Sequence, residues 1–129
     1  MERNKRGAGN RITDLPSRDE SAALEAAGGN EDLARELVES LVRSLPQEIA
    51  ELQRWHTADT WSQLADAAHR MRGATSYCGV PAIDELLEEL ERAARTSNAE
   101  RIELNLAQVI QEADRLTRFV STAIFARQI

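Results

Sequence analysis

His69, Arg72 and Gly73 fall three and four residues apart in the stretch AHRMRG, residues 68–73. A neutral imidazole carries a nucleophilic nitrogen near physiological pH. A guanidinium one helical turn away can hold phosphoryl oxygens through charge-assisted hydrogen bonds. Glycine inside a helix costs about 1 kcal/mol relative to alanine, so its presence here needs a reason. A missing side chain beside the imidazole would admit a phosphoryl group and the protein that carries it. The same residues also read as an exposed histidine next to a tolerated glycine, and the local spacing leaves both readings open.

The elements that must position these residues are helical. The stretch DESAALEAAGG predicts a short helix ended by Gly28 and Gly29. Asn30 then caps a long helix with Leu33, Leu37, Leu41, Leu45, Ile49 and Leu52 at spacings of three and four. Pro46 lies inside that pattern without breaking its phase, which favours a kink over a split. WHTADT reads as a loop, and Thr60 with Gln63 fits a capping box. The next helix carries Leu64, Ala67, Ala68, Met71, Thr75 and Cys78 on one face and bends at Gly79. Pro81 opens a helix with Ile83, Leu86, Leu87, Leu90 and Ala94 inward. Ser97 with Glu100 is a second capping box. The last helix shows Ile102, Leu106, Val109, Ile110, Ala113, Leu116, Val120 and Ile124. Strand signals are missing. The expected fold is all-α, an antiparallel up-down four-helix bundle with a short extra N-terminal helix. Residues 1–18 are polar and aperiodic and read as a flexible N-terminal arm or linker, leaving 19–126 as the domain.

Rotating by about 100° per residue from Leu64 puts Met71, Thr75, Cys78, Ala67 and Ala68 within about 60° of one line, the buried stripe. His69 falls at about 140°, Gly73 at about 180°, Ser76 at about 120° and Arg72 at about 80°. The histidine is therefore outside the core, with Gly73 one turn above it and Arg72 and Ser76 flanking.

Composition removes several function classes. The net charge of −6 argues against nucleic-acid binding. No apolar run reaches the roughly 20 residues of a membrane span and nothing resembles a signal peptide, so a cytoplasmic location is expected. One cysteine, Cys78, excludes an internal disulfide, and with two histidines no zinc cluster is expected. Cys78 reads as core and His56, between Trp55 and Trp61, as a surface loop residue. The run DELLEELE reads as the solvated side of an amphipathic helix.

The stretch LADAAHRMRGATSYCGVPAIDELLEELERAAR, residues 64–95, resembles the histidine-containing phosphotransfer (HPt) domain. The family pattern of histidine, basic residue, glycine and second glycine is met by His69, Arg72, Gly73 and Gly79. ALEAAGGNEDLARELVESLVRSLP and YCGVP resemble the corresponding parts of HPt domains at the C-terminus of BarA/GacS-type hybrid sensor histidine kinases. The resemblance spans roughly residues 20–125. It implies a phosphorelay carrier: a receiver-domain aspartate would pass its phosphoryl group to His69 Nε2, and phospho-His69 to a second receiver. It further implies no cofactor in this chain, with Mg²⁺ on the receiver, no ATP site, no direct membrane contact and a monomer. Consistently, the chain has no glycine-rich phosphate loop.

The plus-three residue is arginine where lysine is commoner in the family. At plus twenty-two, where some members carry glutamine, the chain has Glu91. Such a carboxylate can accept from Nδ1–H and leave Nε2 as nucleophile, or be an exposed helix charge; the sequence favours the second. Arg95 can add positive charge near the docking surface or be a solvated helix residue. The rival reading is a helical protein-interaction module in which His69 is incidental.

Overall fold

A computed structural model describes residues 14–128 of the chain, which form five helices. They are α1 (Glu20–Ala26), α2 (Glu31–Thr57), α3 (Trp61–Thr75), α4 (Pro81–Arg95) and α5 (Ala99–Gln128). Helix α2 packs on α3, α3 on α4, α4 on α5, and α5 returns to α2. Short links at 58–60, 76–80 and 96–98 join consecutive neighbours, so the four long helices close into an up-down bundle. The short α1 contacts α2.

The caps explain the starts. Asp19 Oδ1 accepts the Ala22 N–H at 3.0 Å, and Asn30 Oδ1 accepts that of Leu33 at 3.0 Å. Gly28 and Gly29 turn the chain at φ +67° and +86°. Helix α2 runs uninterrupted through the exposed Pro46. Its missing N–H costs one hydrogen bond, while Leu41, Leu45 and Leu52 remain in the core on either side. Helix α4 has Pro81 at its first position and buries Ala82, Ile83, Leu86, Leu87, Leu90, Ala93 and Ala94. This is the wall against which α3 and α5 both pack.

Four details differ from the sequence reading. Leu33 is exposed, and the buried line of α2 begins with Ala34 and Val38. Small Ala34 meets Ala23 and Ala27, which rotates the covered face away from Leu33. Helix α2 extends to Thr57, so His56 is in its last turn, half-buried and stacked on Trp61 with centroids 6.0 Å apart. Neither capping box forms. Thr60 donates its hydroxyl to the Trp55 carbonyl at 3.2 Å, and Asn98 rather than Ser97 caps α5 by accepting the Arg101 N–H at 3.1 Å. Helix α3 ends at Thr75, which leaves Cys78 in the following turn but still buried, its thiol directed to the Leu37 and Ala74 carbonyls. Burial pushes that thiol up, so its thiolate is disfavoured.

The expected arm also holds more structure than its polarity suggests. Residues 1–13 lie outside the described residues. From Leu15 the chain is fastened to the bundle. The Pro16 carbonyl accepts the Ala82 N–H at 3.3 Å, and Arg115 donates to the Leu15 carbonyl at 2.8 Å. Ser17 donates to Glu112 Oε2 at 2.7 Å, and Arg115 Nε lies 2.8 Å from Glu112 Oε1. Glu112 is 5% exposed, so these partners offset the removal of its carboxylate from water. Residues 15–17 are therefore bonded to the bundle ahead of α1.

Gly79 locks this N-terminal strap to the turn before α4. Its φ is +64°, and its carbonyl accepts the Asp19 N–H at 2.7 Å. A Cβ there would stand 2.6 Å from the Asp19 oxygen and 2.7 Å from Ala23 Cβ. Gly79→Ala is expected to destabilise the domain by about 2 kcal/mol or more, from the left-handed backbone and the clash together. Urea denaturation checks this; an unchanged midpoint would contradict the close approach.

Candidate functional site

Helix α3 turns Ala68 and Met71 into the core, and this leaves His69 on the outside. Its side chain is 69% exposed. Across the groove, α4 turns Leu87, Leu90 and Ala94 inward and sets Glu91 at the edge of the covered face, 17% exposed. His69 Nδ1 lies 3.1 Å from Glu91 Oε2 and 3.3 Å from Oε1. No hydrogen bond to Nε2 is found among the described residues. The exposed-charge reading of Glu91 is corrected: the carboxylate is mostly covered and faces the imidazole.

Arg72 lies along α4 rather than over the ring. Its Nη1 is 3.5 Å from Glu91 Oε1, Nε 3.9 Å from Asp84 Oδ1 and Nη2 4.0 Å from Glu88 Oε1. The Nε atom is buried and makes no hydrogen bond. Asp84 also accepts the Thr75 hydroxyl at 2.5 Å. Arg95 reaches two carboxylates, Asp66 Oδ1 at 3.1 Å and Glu91 Oε2 at 3.4 Å. Gly73 is exposed in regular helix, and a Cβ placed on it would meet nothing within 4 Å. The surface above His69 is thus open.

Of the residues read from the sequence, His69, Arg72, Glu91 and Arg95 come together, with Gly73 clearing the adjacent surface. Ser76 does not join them. It is the C-cap of α3, and its hydroxyl turns back to the Gly73 carbonyl at 3.0 Å. The sequence reading missed Asp66, Asp84 and Glu88. Asp84, Glu88 and Glu91 are spaced as one helical face, so reading DELLEELE as solvated surface overlooked a carboxylate stripe facing a guanidinium. His56 is not part of this group; its ring is against Trp61.

A helical bundle that pairs a surface imidazole with a carboxylate at Nδ1, and has an unobstructed glycine one turn further along the same helix, fits a phosphoryl carrier. The comparisons agree with that class. The family model described as the Hpt domain matches residues 36–119, and the chain belongs to that family, the histidine phosphotransfer modules of two-component signalling. It is 29% identical over 100 residues to the signal transduction histidine-protein kinase BarA of Escherichia coli K12, covering 77% of this chain and 11% of BarA. It is 30% identical over 81 residues to the sensor histidine kinase GacS of Pseudomonas protegens, covering 63% of this chain and 9% of GacS. The chain thus spans about a tenth of the length of these relatives. The crystal structure of the HPT domain from a sensor hybrid histidine kinase of Shewanella has the same fold. Its TM-score is 0.75 at 23% identity, over 85% of this chain and 95% of that one. No helix among the described residues is long and apolar enough to cross a membrane.

Proposed function

We propose that His69 Nε2 is the phosphoryl-accepting atom of a phosphorelay carrier, charged by one receiver-domain aspartate and discharged to another. The observation that carries this reading is the His69 ring, 69% exposed, paired at Nδ1 with Glu91 and one helical turn before the unobstructed Gly73. Arg72 supplies positive charge to the phosphoryl oxygens, and Gly73 gives the receiver access. The chain acts as carrier and not as kinase. It needs no cofactor of its own, because the receiver brings Mg²⁺ with its aspartate. Its partners are receiver domains, not nucleic acid or membrane, and it works as a cytoplasmic monomer.

Incubation with a phosphorylated receiver tests the reading. The expected result is a label on this chain that is acid-labile and base-stable, as a phosphoramidate is. Failure of every receiver in a panel to label it would favour a plain interaction module.

Arg72 is expected to affect rate rather than fold. Its ion pairs with Asp84 and Glu88 are long, so the guanidinium can exchange them for phosphoryl oxygens. Charge-assisted bonds of this kind contribute about 1.5–3 kcal/mol, so Arg72→Ala is expected to slow transfer roughly tenfold to a hundredfold. Arg72→Lys keeps the charge and is expected to retain much of the rate. Stopped-flow transfer with a charged receiver is the measurement; a wild-type rate for Arg72→Ala would remove Arg72 from the phosphoryl site.

A further inference from the structure

The geometry points to Asp84 and Glu88 as positioning residues that hold Arg72 back along α4 while His69 is unloaded, and so set how a phosphoryl group divides between this chain and a receiver. This rests on the carrier reading of His69 and adds what limits the chain's grip on its cargo.

Arg70, Arg72 and Arg95 neighbour His69 and its partner Glu91, yet they are paired differently. Arg70 reaches Glu51 at 2.7 Å, and Arg95 reaches Asp66 at 3.1 Å. Arg72 has no contact that short. Glu91, Asp84 and Glu88 lie 3.5, 3.9 and 4.0 Å from its nitrogens. Its Nε is covered and makes no hydrogen bond. A guanidinium presents five N–H donors in a rigid fork and gains most from close, paired bonds to oxygen. Here it has negative charge around it and an unfilled fork. Such a hold attracts the group and gives it up easily.

The carboxylates are placed to draw Arg72 along α4. Asp84, Glu88 and Glu91 follow one another at spacings of four and three, on one helical face. The Asp84 oxygen nearest Arg72 Nε also accepts the Thr75 hydroxyl at 2.5 Å. Thr75 is 2% exposed, so that oxygen is fixed from the core side. Glu88 is shared with Arg92 at 3.5 Å and holds Arg72 less firmly. Glu91 Oε1 lies 3.5 Å from Arg72 Nη1 and 3.3 Å from the His69 ring. One carboxylate therefore separates the guanidinium from the imidazole. Arg72 reaches a phosphoryl group on His69 by leaving Asp84 and Glu88.

The transfer step turns this arrangement into a competition. A His69 ring nitrogen forms the N–P bond as the P–O bond to the receiver aspartate breaks, and that electron pair leaves on the carboxylate oxygen. Onward transfer runs the same exchange in reverse with a second aspartate. Arg72 stays protonated throughout. In the unloaded chain its guanidinium lies with Asp84 and Glu88; in the loaded chain it lies with the phosphoryl oxygens. The two carboxylates therefore stabilise the unloaded state alone, and they bias the phosphoryl group toward the receivers. A carrier must release what it accepts, and an arginine with no competing partner would favour the loaded state.

Quench-flow measurement of transfer in both directions, between the full chain and one receiver, tests this. The ratio of forward to reverse rates gives the division of the phosphoryl group. Part-exposed ion pairs contribute little each, so Glu88→Gln and Asp84→Asn are each expected to raise the ratio in favour of this chain by roughly twofold to fivefold. In an Arg72→Ala background the same substitutions are expected to leave the ratio nearly unmoved, because more distant surface charges are screened. A purely structural role would not depend on Arg72 in this way. Asp84 is in the first turn of α4, where a carboxylate also favours the helix. Should Asp84→Asn melt early, Glu88→Gln decides alone. An unmoved or lowered ratio in Glu88→Gln, or an equal rise without Arg72, would overturn the inference. A wild type labelled normally with such a result removes this inference only; a wild type that no receiver labels removes the carrier reading and this inference with it.

Discussion

His69→Gln is expected to accept no phosphoryl group from any receiver while folding as the wild type does. Glutamine keeps a polar side chain of helical propensity similar to histidine or better. The position is 69% exposed and off the buried stripe, so no cavity forms. Glu91 loses one contact but keeps Arg72 and Arg95. Surface changes of this kind stay within about 0.5 kcal/mol of the parent. What disappears is the only nitrogen nucleophile at the site, because the amide nitrogen of glutamine has no available lone pair. His56 cannot replace it; its ring is stacked on Trp61 and has no glycine or arginine at matching offsets. Transfer should fall to background with an unchanged melting temperature. Persistent labelling of His69→Gln would contradict the assignment.

Gly73 is expected to show stability and transfer moving in opposite directions. It sits in regular helix, and a methyl group on its Cα would have nothing within 4 Å, so alanine meets no obstacle. Gly73→Ala should stabilise the fold by up to about 1 kcal/mol through backbone entropy. On the proposed reading, the space that makes the methyl harmless to this chain is the space a receiver would occupy to bring its aspartyl phosphate to His69. Gly73→Gln and Gly73→Leu should fold at least as well as the wild type yet dock receivers weakly. Transfer should fall by more than tenfold for leucine, corresponding to about 1.4 kcal/mol or more. Thermal melts beside receiver titrations separate the two effects. Full transfer by a folded Gly73→Leu variant would show that the glycine does not guard the approach. A glycine kept at a stability cost for access is what a functional exception to local propensity looks like.

The helices were legible because aliphatic residues recur at helical spacing from Leu41 to Val120 and because Asn30, Gly28 and Pro81 punctuate them. The positions of His69 and Gly73 outside the core followed from the same geometry. What stayed hidden depends on partners distant in sequence. Thr60 carries a capping-box pattern, yet its hydroxyl goes to the Trp55 carbonyl, a choice made by how α2 ends. Leu33 matches the periodic pattern, yet the contact of Ala34 with α1 decides which face is covered. The strap at Pro16 and Ser17 has no period, because a buried Glu112 and the Ala82 amide recruit it one atom at a time. Glu91 is the most consequential case. Within its own helix it is one carboxylate among several, and only the crossing of α3 over α4 brings it to His69.

Locating the phosphoryl group itself decides whether His69 is the carrier. A phosphorylated receiver is mixed with this chain labelled with nitrogen-15, and the bonded nitrogen is read from phosphorus–nitrogen coupling. The expected result is one phosphoryl group per chain, bonded to Nε2 of His69. A phosphoryl group on Nδ1, or on any other residue, would contradict the assignment.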